Sequence, residues 1–146
     1  MRLSQNEIRI GNLFYPIDRD KEIHVPIEIP MKISMIGLLT VSMIWPDQNP
    51  AQVEIHTQYR TCDVSPIPLT EEWLIKLKYV KYTHKSNELP DYKWFCDGGT
   101  CVISQVGSRL YYGGMLAGYK GLKYVHQLQN LYFVLTGKEL NYESGE

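Results

Sequence analysis

From residue 23 the chain alternates. Ile23, Val25, Ile27, Ile29, Met31, Ile33 and Met35 take the odd positions, while His24, Pro26, Glu28, Pro30, Lys32 and Ser34 take the even ones. A period of two marks a strand with one face buried. Pro26 and Pro30 cannot donate to a ladder, so the stretch reads as an edge strand or as two short strands. Beyond Gly37, Leu39, Val41, Met43 and Trp45 continue the alternation in a second strand. Trp45-Pro46-Asp47-Gln48-Asn49-Pro50 is a turn by composition, and Val53, Ile55, Thr57 and Tyr59 form another strand. Upstream, Ile8 to Tyr15 reads as a strand bent or bulged at Gly11-Asn12. Residues 8–60 are therefore expected to form a small antiparallel sheet or an SH3-like barrel.

The pattern then changes. Ser65 to Leu69 is an extended connector. Thr70 is a good N-cap, Glu71 and Glu72 suit the positive end of a helix, and Trp73, Leu74 and Leu77 supply an apolar face. This predicts a short helix over 70–79. Lys85 to Pro90 is a polar loop. Within 91–113, Tyr92 to Cys96 and Cys101 to Val106 flank Asp97-Gly98-Gly99-Thr100 as a hairpin. Gly107-Ser108 then turns the chain into Arg109 to Tyr112, and Gly113-Gly114 ends that strand. Gly118 and Gly121 punctuate the approach to the last element. Tyr124, Leu128, Leu131 and Leu135 recur at helical spacing, with Val125 and Tyr132 widening the stripe, and Gly137 is a natural terminator. A helix over 120–137 is predicted. The whole chain, 1–146, reads as a single α+β domain whose C-terminal amphipathic helix packs on the sheet.

The 146 residues suffice for a sizeable core, and 44% hydrophobic with 21% charged positions argues against disorder. Fifteen basic against sixteen acidic residues give a net charge of −1, so no general attraction to nucleic acid or anionic membrane follows. Lysines gather at Lys76, Lys78, Lys81 and Lys85, and at Lys120 and Lys123, as solvated faces do. Met35 to Trp45, the longest apolar stretch, is too short to span a bilayer. Three cysteines and no basic-then-apolar leader fit a cytoplasmic protein better than a secreted disulfide framework. Eleven tyrosines and three tryptophans suit both strands and binding surfaces.

Candidate chemistry is sparse. Cys96 and Cys101 should face each other across their hairpin, but Cys62, His84 and His126 lack the paired spacing of a zinc site, so no metal and no other cofactor is expected. A thiol nucleophile would need a cysteine beside His126, oriented by Asn130, and nothing local activates one. His24 and His56 sit at strand positions without a partner in view. The glycine pairs match no phosphate-binding motif, and Glu71-Glu72 is accounted for by the helix start. What stands out is one face of the last helix, where His126, Gln129, Asn130 and Phe133 fall together. Tyr111, Tyr112 and Tyr119 approach from the neighbouring hairpin and loop. Amides read hydrogen-bonding edges and aromatic rings stack or fill pockets, so these seven residues form the candidate ligand- or partner-binding set.

Three segments also carry a resemblance: Arg9-Ile10-Gly11-Asn12, then Pro66 to Leu74 (PIPLTEEWL), then Lys123 to Phe133 (KYVHQLQNLYF) with Leu135 to Leu140 (LTGKEL). In this order they resemble small proteins encoded by phages and mobile elements of gut Bacteroides-type bacteria. The last block is the specific part, and together the quoted segments make up 30 of the 146 residues. Relatives tend to have Gly-Phe just after the first helix, where this chain has Lys78-Tyr79. The resemblance implies a phage or prophage source and supplies no activity. The resulting expectation is a non-enzymatic protein that binds a host protein, for instance to inhibit a defence or regulatory factor. The alternative is a small-molecule binder that sequesters a nucleotide signal. A thiol-dependent hydrolase comes third.

Overall fold

In the computed structural model the described residues are 7–18, 25–37, 40–46, 48, 57–60, 63–83, 92–96, 101–106, 108–112, 120–140 and 142. Of the positions singled out above, Ile23, His24, Leu39, Asp47, Asn49, Pro50, Val53, Ile55, His56, Cys62, His84 and Tyr119 lie outside them. So do 85–90, 97–100, Gly107, Gly113, Gly114 and Gly118. The fold is mixed α+β, as the pattern predicts, with two antiparallel sheets and two helices. The chain forms two compact units, Met1–Ile67 and Pro68–Glu146.

The first unit holds β1 (Leu13–Asp18), β2 (Val25–Pro26), β3 (Met31–Ile36), β4 (Thr40–Ile44), β5 (Thr57–Arg60) and β6 (Val64–Pro66). The proline-bearing stretch resolves into two strands, β2 and β3, with Pro30 just outside the second. β3, β4 and β5 form a meander, while β1 pairs with β2, β3 and β6. Of the expected connector Ser65 to Leu69, the first two residues thus belong to a strand. Ser65 sits opposite Tyr15, so the last strand of the unit returns to the first.

The predicted bend at Gly11-Asn12 docks the chain onto β3. Gly11 takes φ 93°, a conformation open to glycine, and its N–H donates to the Ile33 carbonyl at 2.8 Å. The buried Asn12 side chain accepts from the Arg9 N–H at 2.7 Å. Beneath lies a core of Ile8, Phe14, Met31, Ile33, Val41, Met43 and Val64, with Tyr59 packed against it. A register shift between Ile33 and Met35 buries Ser34 and leaves Met35 half exposed, against the simple alternation. The turn after β4 is held by Lys32, whose ammonium donates to the carbonyls of Pro46 (2.9 Å) and Gln48 (2.6 Å).

The second unit opens with α1 (Glu71–Lys76), shorter than the 70–79 expected. The Thr70 hydroxyl accepts from the Trp73 N–H at 3.4 Å, as its cap position predicts. At the other end the Lys78 N–H donates to Ile75 and the Tyr79 N–H to Leu74, both at 2.9 Å. This is a Schellman termination, with Leu74 and Tyr79 both buried. It requires a left-handed residue, and Lys78 supplies it at φ 65°. Lys78 thus holds the helix end in the conformation that glycine favours.

A strand that the hydropathy pattern did not announce follows, β7 (Val80–Thr83). It leads into β8 (Tyr92–Cys96), β9 (Cys101–Val106), β10 (Arg109–Tyr112) and β11 (Lys120–Leu122). The sheet order is β11-β10-β9-β8-β7, with Cys96 opposite Cys101 as expected. Lys120 to Leu122 was expected to be helical. It pairs instead with β10, and α2 runs from Val125 to Thr136. The Leu69 N–H donates to the Lys123 carbonyl at 2.9 Å, tying the chain to the sheet before α2 can begin. The Gln127 amide oxygen accepts from the N–H groups of Lys123 (3.0 Å) and Tyr124 (3.2 Å), a reach-back that fixes the helix start. Gly137, at φ 70°, ends it. Past α2 the chain returns to α1, where Tyr142 stacks on Trp73 with ring centroids 5.2 Å apart.

Candidate functional site

The buried side of α2 is Val125, His126, Leu128, Gln129 and Tyr132. At 100° per residue this arc lies about a quarter of a turn from the leucine stripe read off the sequence. His126 and Gln129 are only 1% and 2% exposed, and Asn130 is half-buried, whereas Phe133 is 37% exposed and Leu135 40%. The four predicted residues do share a side of the helix, but two of them point into the unit. The His126 ring stacks on Tyr124 at 5.7 Å.

The predicted tyrosines divide as well. Successive residues of a strand point to opposite faces, so Tyr111 and Tyr112 are separated by the sheet. Tyr119 lies outside the described residues. Tyr111 lines a cleft of about 530 Å³ with Leu69, Arg109, Gly121, Leu122 and Lys123. An adjoining cleft of about 380 Å³ is lined by Thr70, Glu71 and Gln105. The two clefts share Leu69, Ser108 and Leu110 along their border.

The smaller cleft is lined by a connected network. The indole N–H of Trp94 donates to the Gln105 carbonyl oxygen at 2.8 Å, and the Gln105 amide donates to Glu71 at 2.6 Å. The Lys81 ammonium meets the other Glu71 oxygen at 3.0 Å and lies 3.9 Å from the Tyr92 ring centre. The hydrogen bond from Gln105 and then that from Lys81 hold the Glu71 carboxyl below its ordinary pKa. Sequence reasoning had explained Glu71 by the helix start alone. Its second role was hidden because Gln105 lies thirty-four residues away.

The opposite face of the same sheet is more open towards β7. Register places Val80 beside Phe95 and Tyr82 beside Lys93. Val80 and Tyr82 are 56% and 57% exposed, and Tyr82 meets the Phe95 ring edge-on at 5.0 Å. Lys81 between them points the other way, to Glu71, so the lysine run does not form one solvated face; Lys76 pairs separately with Glu72 at 2.7 Å.

Cys96 and Cys101 are buried and not joined in a disulfide. Burial pushes the Cys101 thiol above its ordinary pKa, with the Tyr79 side chain opposing that shift, so it is a poor nucleophile at neutral pH. Among the described residues no group of three or more His, Cys, Asp or Glu side chains is placed to hold a metal ion. Among them, too, no helix is long and apolar enough to cross a membrane. Comparison of the chain with protein-family models, with curated proteins and with solved structures finds no match.

Proposed function

We propose that this chain is a non-enzymatic binding protein of phage or prophage origin. In this reading it works in the cytoplasm of a bacterial host by engaging a host protein, with inhibition of a defence or regulatory factor as its effect. The observation that carries the reading is the β7 margin of the second sheet. There a strand at the end of the sheet order presents Val80 and Tyr82 outward, backed by Phe95. Such an edge offers main-chain donors and acceptors to an extended strand of a partner, and its exposed side chains offer an aromatic anchor. The test is affinity capture from lysate of a Bacteroides-type host, using the wild type, Tyr82→Phe and Tyr82→Glu. A host protein held by the first two and lost from the third, with the circular dichroism of all three alike, is the expected result. Capture that Tyr82→Glu leaves unchanged defeats the assignment to this edge.

A second reading, sequestration of a small nucleotide-like ligand, is favoured by a different observation. The larger cleft is lined by Arg109, Lys123 and Tyr111 together. Cations beside an aromatic ring suit an anionic, flat ligand.

A further inference from the structure

We propose that the strand received at β7 belongs to an acidic segment of the partner. It places an apolar residue beside Val80 and, two positions along, a carboxylate beside Tyr82 that pairs with Lys93. The proposal rests on the β7 reading above and gives the partner its chemistry.

The margin is left open by the placement of its own lysine. Val80, Lys81, Tyr82 and Thr83 are all exposed, and β7 ends the sheet order. A lysine on an edge strand ordinarily discourages a second chain from pairing there. Lys81 is drawn elsewhere. Its ammonium meets Glu71 at 3.0 Å and lies 3.9 Å from the Tyr92 ring centre and 5.4 Å from that of Trp94. Both rings belong to β8, so the side chain folds inward over the sheet and away from the margin. What it leaves is an edge whose alternate residues turn N–H and C=O groups outward, the template for an added strand.

The other face selects the partner's side chains. Register sets Val80 opposite Phe95 and Tyr82 opposite Lys93, so these four share a face. Tyr82 leans diagonally onto Phe95, edge-on at 5.0 Å, and away from its direct neighbour Lys93. Val80, Tyr82 and Phe95 thus make an apolar strip with the half-buried Lys93 at its end. The charged residues described in β7 and β8 are Lys81 and Lys93. Glu71 neutralises the first, and among the described residues no carboxylate is paired with the second. A second copy of this chain would bring another uncompensated lysine to the face, whereas an acidic segment cancels the one already there. Neighbouring strands lie about 4.8 Å apart, so a partner residue beside Tyr82 starts about 9.6 Å from Lys93. A lysine and a glutamate side chain together span that interval.

The test is fluorescence anisotropy on the full chain with labelled synthetic peptides. One peptide alternates threonine with valine and glutamate in turn, and its counterpart carries lysine for each glutamate. The chain alone is followed by sedimentation velocity at the same concentrations. The wild type binds the glutamate peptide about fivefold or more tightly than the lysine peptide, and Lys93→Glu reverses that preference. Tyr82→Ala weakens both peptides with its circular dichroism unchanged. A reversed preference also shows that Lys93→Glu is folded, since an unfolded chain has no edge to offer. Equal binding of the two peptides, weakened alike by Tyr82→Ala, refutes the acidic partner and leaves the β7 reading standing. A glutamate preference that survives Lys93→Glu refutes the pairing with Lys93. No binding of either peptide at about millimolar concentration, or binding that Tyr82→Ala leaves untouched, refutes the β7 reading as well. A wild type that dimerises while Tyr82→Ala stays monomeric gives the edge to a second copy and overturns the proposal.

Discussion

The two helices of the second unit were read from the same kind of evidence, and they came out differently. In α1 the cap, the acidic first turn and the apolar residues all point one way. Thr70 caps, and Trp73 and Leu74 are buried. In α2 the leucine stripe points one way and the protein turned another, burying His126 and Gln129 while leaving Leu135 40% exposed. The difference lies in what each helix packs with. A short helix between a cap and a Schellman turn has its face fixed locally. The longer one starts only where Leu69 and Gln127 hold the chain, and that anchoring sets its rotation.

The largest expected contrast comes from leucines. Leu74→Ala should cost about 2–5 kcal/mol in urea unfolding, because its side chain is fully buried, whereas Leu135→Ala should cost less than about 1 kcal/mol. Equal losses would mean that the leucine stripe is the packed face after all. Next comes Gln129→Ala, which should destabilise by roughly 1–3 kcal/mol, as loss of a buried amide does. A change within about 0.5 kcal/mol, the usual size at a surface position, would return this residue to the exterior. The smallest effect has the opposite sign. Lys78→Gly relieves a left-handed lysine and should raise stability by about 0.5–1 kcal/mol, seen as a higher urea midpoint at unchanged slope.

What could be read from the chain follows how local each cause is. The odd-position alternation, the Gly11-Asn12 bend, the Thr70 cap and the Cys96–Cys101 hairpin are each written within a few residues. β7 escaped notice because Lys81 obscures its period, and the partners of that lysine, Glu71 and the Tyr92 ring, lie elsewhere in the chain. β11 escaped because Lys120-Gly121-Leu122 acquires its meaning only opposite Leu110 to Tyr112. The two clefts are invisible for the same reason: Leu69, Glu71, Gln105, Arg109 and Lys123 share no spacing, and only the folded chain brings them near one another. Tyr111 alone was anticipated, through its aromatic character.

The facing thiols of Cys96 and Cys101 also make the second sheet its own chronometer. Both are shielded in the closed hairpin and have no disulfide to break. With Cys62 replaced by serine, a thiol-reactive dye can label the remaining pair only while β8 and β9 part. The labelling half-life, taken against reagent concentration, then separates the opening rate from the opening equilibrium. A partner seated on β7 and a ligand seated beside β11 would slow that clock from opposite margins of one sheet, and each could be timed without attaching a foreign probe.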